Sequence, residues 1–89
     1  MDWRKLTHFE ANIEVSPRYV IANPEGSTIE RALPALGFKT THNVRVGKLI
    51  RLEVEAESVD VAQSLVEDMC NRFLTNPVIE DASVEVLEV

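Results

Sequence analysis

The chain has 89 residues, 45% of them apolar, and its 9 basic and 15 acidic residues give a formal net charge of −6. This length predicts one domain, residues 1–89, that buries only about two-thirds of its unfolded surface, so we expect it to form a homodimer or tetramer. The acidic balance argues against nucleic acid or an anionic membrane surface as partner, since Lys and Arg make most phosphate contacts.

Alternation of apolar and polar residues predicts a first strand over residues 9–15, with one buried and one exposed face. Residues 18–22 follow as an extended connector whose apolar side chains contact the core or a partner. The sequence NPEG at residues 23–26 then predicts a turn that starts a helix ending near Gly37. Pro34 predicts a kink or a tightened last turn in that helix.

Residues 44–56 (VRVGKLIRLEVEA) carry the clearest alternation, with the apolar residues on even positions. We interpret them as one long, bent central strand, and Gly47 as the site of the bend. A two-residue hairpin turn at Gly47 and Lys48 is the alternative.

A second amphipathic helix is predicted after Ser58, a candidate N-cap, and it ends before Pro77. Its apolar stripe has helical spacing and is expected to lie in the core: Ala62, Leu65, Val66, Met69, Cys70, Phe73 and Leu74. Alternation at residues 82–86 predicts the last strand. The resulting fold is a small α+β sandwich of order β-α-β-α-β, mainly antiparallel, with two helices on one face. A ferredoxin-like βαββαβ fold is the alternative.

The sequence carries no recognisable catalytic constellation. Its one cysteine lies on the apolar stripe of the second helix and cannot form an internal disulfide, which fits a reducing cytoplasm. His8 and His42 lack a neighbouring nucleophile or carboxylate pattern. No metal-ligand set or phosphate loop is present, so we expect no cofactor in this chain. Because the sequence lacks a suitable apolar run, we also expect no leader peptide and no membrane span.

Three segments occur together in a characteristic order and spacing: NPEG at residues 23–26, VRVGK at 44–48 and NPVIED at 76–81. In these segments the chain resembles the PurS family, the small subunit of phosphoribosylformylglycinamidine (FGAM) synthase. The resemblance extends from about residue 9 to residue 86.

The resemblance implies a non-catalytic, cytoplasmic subunit of a purine-biosynthesis ligase that converts formylglycinamide ribonucleotide to the amidine. The expected partners are a glutaminase (PurQ-type) subunit, which releases ammonia, and a synthetase (PurL-type) subunit, which uses ATP and magnesium. This chain is expected to bridge the two.

The motif residues are candidates for the partner interface: Asn23, Pro24, Gly26, Arg45, Gly47, Lys48, Asn76, Pro77 and Glu80. Arg45 and Lys48 are the foremost of them, although solvated strand positions explain both equally well. Gly47 is also explained by backbone geometry, and Asn76 and Pro77 by helix termination. The rival function is a dimeric, ferredoxin-like or ACT-like domain that binds a small regulatory ligand.

Overall fold

A computed structural model describes residues 6–89, and these form a three-stranded antiparallel sheet covered on one face by a helix. The strands are β1 (Thr7–Pro17), β2 (Lys48–Ala56) and β3 (Glu80–Glu88), in the spatial order β2-β1-β3. Helix α1 (Pro24–Ala32) continues into a 3₁₀ turn (Leu33–Leu36). Helix α2 (Val59–Met69) continues into a π-helical turn (Cys70–Leu74). The predicted element order and the antiparallel sheet are confirmed.

The core lies between β1 and α2. Because side chains alternate along a strand, β1 turns one apolar row toward the helix, and the even positions of β2 and β3 extend that face. Helix α2 is capped by Ser58, whose hydroxyl accepts a hydrogen bond from the Val61 amide at 3.2 Å. The fully buried apolar residues are Phe9, Ala11, Ile13, Val15, Ala56, Ala62, Val66 and Cys70.

The opposite face of the sheet is open and acidic. It carries Glu10, Glu14, Glu53, Glu55, Asp81 and Glu85, on alternate positions of the three strands. Glu10 lies directly opposite Glu53 in the β1–β2 register, a like-charge pair that disfavours the sheet.

The predicted long strand over residues 44–56 is wrong in its first third. Strand β2 begins at Lys48, which pairs with Val15, and residues 44–47 lie outside the sheet, so there is neither a bent strand nor a hairpin turn. The central strand of the sheet is β1. Gly47 marks a close approach, since a Cβ there would lie 2.4 Å from the Val15 carbonyl oxygen. The side chain of Asn23, and not a neighbouring strand, makes the hydrogen bonds to the Val46 backbone.

The prediction of two helices on one face is also corrected. Only α2 covers the sheet, whereas α1 has a single buried residue, Gly26, and packs against residues 44–45. The Leu36 side chain beyond it is 72% exposed. The tightened last turn at Pro34 is confirmed as the 3₁₀ turn, and Gly37 ends it with a φ of 100°.

Phe73 is a further correction, because its side chain is 86% exposed instead of lying in the core. The cause is the π-helical turn, in which the Thr75 amide donates to the Cys70 carbonyl oxygen at 3.1 Å. The Thr75 hydroxyl donates to the same oxygen at 2.9 Å. This wider turn rotates Phe73 out of the apolar stripe, while Leu74 still packs on the core.

We predict that Gly47→Ala lowers the free energy of unfolding by about 1–3 kcal/mol, because the new methyl group must displace the end of β1. Urea denaturation measures the change. Lys48→Ala, at the next position and with an exposed side chain, is the matched control and should unfold close to wild type. Equal midpoints for the two variants would contradict the close approach.

Candidate interaction site

The three motif segments converge at one end of the sheet, where β1 ends and β2 and β3 begin. The register places Val15 beside Lys48 and Pro17 beside Glu80, so residues 44–48 and 76–81 flank the end of β1. Residues 18–26 cross this end of the sheet. We call residues 17–26, 43–48 and 76–81 together the motif end.

Asn23 joins the first two motifs. Its Oδ1 accepts hydrogen bonds from the Gly26 amide at 3.0 Å and the Val46 amide at 3.2 Å, and its Nδ2 donates to the Val46 carbonyl oxygen at 3.0 Å. The same side chain therefore caps α1 and replaces a strand partner for Val46. Asn23 is only 9% exposed, so its amide serves the fold.

Two further contacts tighten the junction between α1 and residues 44–45. A Cβ at Gly26 would lie 2.3 Å from the Val44 carbonyl oxygen, so the close approach requires glycine. Glu30 Oε1 accepts a hydrogen bond from the Val44 amide at 2.8 Å. The helix is thereby fixed to the segment before β2.

Arg45 fastens the segment after β1. One guanidinium nitrogen donates to three carbonyl oxygens: those of Pro17 at 3.2 Å, Arg18 at 2.9 Å and Ile21 at 3.2 Å. The guanidinium also lies over the Tyr19 ring, 5.3 Å from its centroid. The segment is a turn, closed by a hydrogen bond from the Ile21 amide to the Arg18 carbonyl oxygen at 2.8 Å, which corrects the predicted extended connector.

Arg18 joins the third motif to the other two. Its amide donates to the Ile79 carbonyl oxygen at 2.8 Å, and its guanidinium donates to the Pro77 carbonyl oxygen at 2.6 Å and lies 3.6 Å from Asp81. The sequence reasoning missed this residue. Its position depends on the pairing of β1 with β3, which alternation alone does not specify.

Hydrogen bonds within the third motif fix its conformation. Asn76 Oδ1 accepts a hydrogen bond from the Val78 amide at 3.1 Å, and the Asn76 amide donates to Glu80 Oε1 at 2.8 Å. These bonds define a compact turn between α2 and β3. The Asn76 and Glu80 side chains therefore have structural partners within their own segment.

The nine candidate residues thus fall into two groups. Asn23 and Gly26 are buried, Arg45 and Glu80 are half-buried, and all four make intramolecular contacts. Pro24, Gly47, Lys48, Asn76 and Pro77 are exposed. The exposed apolar side chains beside them are Tyr19, Val20 and Val78. Lys48 is therefore the charged candidate best placed to reach a partner, and the interface role of all nine residues stays a prediction.

The described residues contain few groups that could bind a metal ion or a substrate. Within residues 6–89, no three His, Cys, Asp or Glu side chains form a group that could hold a metal ion. A cavity of about 330 Å³ lies at the motif end, but Glu30 and Arg45 in its lining already bind backbone. No helix in that part of the chain is both long and apolar enough to span a membrane.

Cys70 is an inert core thiol. The side chain lies on the π-helical turn that continues α2 and is buried in the core, and burial, aided by the charge of Glu67, raises its pKa above the ordinary value. A raised pKa lowers the thiolate fraction, and the thiolate is the nucleophilic form.

Comparison with known proteins agrees with the motifs. The family profile described as PurS: Phosphoribosylformylglycinamidine (FGAM) synthase matches residues 10–88. Subunit PurS of phosphoribosylformylglycinamidine synthase from Methanocaldococcus jannaschii is 36% identical over 81 residues, which is 91% of this chain and 98% of the relative.

Two solved structures are also similar. The crystal structure of the Thermotoga maritima purS subunit has a TM-score of 0.84 at 39% identity and covers 92% of this chain and 94% of its own. The PurLQS structure from the same organism has a TM-score of 0.82 at 39% identity and covers 90% and 98%.

We predict that Arg45→Ala lowers the free energy of unfolding by about 1–3 kcal/mol, because three carbonyl oxygens lose a charged donor. Amide hydrogen exchange should quicken mainly in residues 18–23. Arg51→Ala, which removes an exposed arginine from β2, is the matched control. Unchanged exchange in that turn would show that Arg45 does not hold it.

We predict that Cys70 reacts with a thiol reagent at pH 8 far more slowly in the native chain than in urea. The raised pKa also means that the unfolded thiol ionises first, so stability falls as the pH rises above 9.0, the ordinary thiol value. Cys70→Ala should lack this part of the pH dependence. Rapid native labelling would contradict the burial.

Proposed function

Because the chain belongs to the PurS family of FGAM synthase, we propose that it is the non-catalytic subunit that bridges the glutaminase and synthetase subunits. Family membership makes it a subunit of a glutamine-dependent ligase of purine biosynthesis. The bridging role is the proposal, and the geometry of the motif end supports it.

The observation that carries the proposal is how the motif residues are used. The side chains of Asn23, Arg45 and Arg18 make hydrogen bonds that connect the three motif segments to one another. A residue set that serves catalysis would instead direct polar groups into a cleft that receives substrate. The motif end is therefore a shaped surface, as a bridge between two enzymes requires.

Ammonia transfer gives a physical reason for such a bridge. Ammonia released into water at neutral pH is mostly ammonium, which has no lone pair for attack on the substrate. A subunit that holds two active sites in register shortens the path and excludes water from it. It needs no reacting group of its own.

The relatives suggest the partners. PurLQS from Thermotoga maritima is a solved assembly, and we infer that this chain joins PurL-type and PurQ-type subunits in the same way. ATP and magnesium then belong to the synthetase subunit, and the cytoplasm is the compartment in which the three proteins meet.

Reconstitution tests the bridge. The purified chain is mixed with the glutaminase and synthetase subunits from the same cell, and glutamine-dependent amidine formation is assayed with and without it. Omission should abolish most of the glutamine-dependent rate and leave the reaction supplied with free ammonium largely intact. Equal glutamine-dependent rates with and without the chain would overturn the proposal.

We further predict that Lys48→Glu weakens assembly of the three proteins by tenfold or more (about 1.4 kcal/mol), whereas the isolated chain stays folded. Gel filtration of the mixture measures assembly. Arg51→Glu is the matched control, since it makes the same charge change at an exposed position of the same strand. Arg45 is left intact because it also holds the turn after β1. Equal assembly of the two variants would exclude Lys48 from the interface.

A further inference from the structure

The face of the sheet opposite α2, which we call the open face, carries most of the net charge of the chain. It consists of the even residues 8–16 of β1 and the odd residues 49–55 of β2 and 81–87 of β3. Six of these residues are acidic and one, Arg51, is basic, so the open face has a formal charge of −5 where the whole chain has −6. No helix in the described part of the chain covers it, because α2 packs on the other face.

The acidic side chains of the open face are close enough to act together. Neighbouring strands lie about 4.8 Å apart, and alternate residues of one strand lie about 7 Å apart. Both spacings are shorter than the Debye length of about 8 Å at physiological salt. Glu10 lies directly opposite Glu53, and like charges in that arrangement destabilise a sheet. The fold itself therefore gives no reason for the excess of negative charge.

Asn12 lies at the centre of the open face. It belongs to the middle strand and is paired in register with Arg51 of β2 and Glu85 of β3. Its Oδ1 is buried and accepts no hydrogen bond from the described residues. Because buried acceptors in proteins normally have a partner, this oxygen indicates a donor that the chain itself does not supply.

The charge and the shape of the open face restrict what can bind it. Nucleic acid and anionic membranes are repelled, since both present negative phosphates. A second copy stacked on the same face would oppose like charges. The face extends about 27 Å along β1, much longer than a small ligand, and the described residues hold no group suited to a metal ion. A protein surface that bears Lys and Arg matches both the charge and the extent.

Two aliphatic side chains add apolar area to the open face. Leu49 and Leu87 are 49% and 52% exposed, and they lie at diagonally opposite corners of it. A partner that lies along the face therefore buries apolar surface as well as pairing charge, a combination typical of interfaces between proteins.

We propose that the open face binds a Lys- and Arg-bearing surface of the enzyme subunit that does not occupy the motif end. The proposal rests on the bridging function, since a bridge needs two separate contact surfaces. The motif end differs in chemistry, because it presents Lys48 and the apolar side chains of Tyr19 and Val20. The two surfaces thus select different partners. In the complex, a Lys or Arg side chain of the partner donates to Asn12 Oδ1.

Neutralisation of the open face tests the contact. The face variant replaces one exposed glutamate on each strand by glutamine: Glu14→Gln, Glu55→Gln and Glu85→Gln. The control variant makes the same change of charge at exposed positions outside the face: Glu25→Gln, Glu57→Gln and Glu67→Gln. Binding of each labelled variant to a mixture of the glutaminase and the synthetase is measured by fluorescence anisotropy at low and at physiological salt.

The face variant should bind at least tenfold more weakly than wild type at low salt, and its affinity should depend less steeply on salt. The control variant should bind as wild type does. Equal affinities of the two variants would overturn the proposal, and so would a wild-type affinity that does not change with salt. Circular dichroism checks that each variant is folded.

Cross-linking identifies the partner. A photoreactive residue in place of Ser83, an exposed position of the open face, should link the chain to one enzyme subunit. The same residue in place of Val20, at the motif end, should link it to the other. Linkage of both positions to one subunit would overturn the proposal. So would linkage from position 83 to a second copy of the chain, or to nothing.

Reconstitution separates this inference from the bridging function. If omission of the chain leaves the glutamine-dependent rate unchanged, the bridge itself fails. If the chain is required but the face variant at limiting concentration supports the wild-type rate, only the open-face contact fails.

Discussion

The Asn23 amide is the interaction on which the motif end depends. Its Oδ1 and Nδ2 make three hydrogen bonds, to the start of α1 and to both backbone groups of Val46. Loss of the amide would leave partly buried backbone groups of Val46 without partners, which costs about 1–3 kcal/mol for each unsatisfied group. The helix cap and the course of residues 44–46 therefore depend on the same side chain.

The two arginines extend this arrangement across the sheet. Arg45 reaches the turn after β1, and Arg18 reaches from that turn to the segment before β3. Three segments far apart in sequence thus share one network of side-chain to backbone bonds. Such a network fixes the shape of a surface while leaving few polar groups free to react, which agrees with the proposed bridging role.

The sequence correctly predicted the helix and strand that have one buried and one exposed side. The alternation in β1, the stripe of Ala62, Val66 and Cys70, and the Ser58 cap are local patterns, and the structure confirms each of them. The three motif segments lie together at one end of the molecule. They were grouped by resemblance, because no periodicity links residues 23–26 to residues 76–81.

Each error has a physical cause. Residues 44–47 alternate like a strand, yet the Asn23 side chain makes the hydrogen bond to the Val46 amide. Phe73 continues the apolar stripe of α2 in sequence, yet the π-helical turn changes the direction of its side chain. Helix α1 has helical spacing, yet it buries only Gly26 and does not cover the sheet. For residues 44–47 and for α1 the outcome is decided by a tertiary contact, or by the lack of one, that local sequence does not encode. For Phe73 it is decided by a local hydrogen bond of the π-helical turn.

The separation of surfaces bears on how one small chain can serve several neighbours. The motif end and the acidic sheet face lie on different parts of the molecule. A chain of 89 residues provides little core, so a single copy has limited stability on its own. A dimer would add apolar burial where the monomer lacks it and present two motif ends from one rigid body.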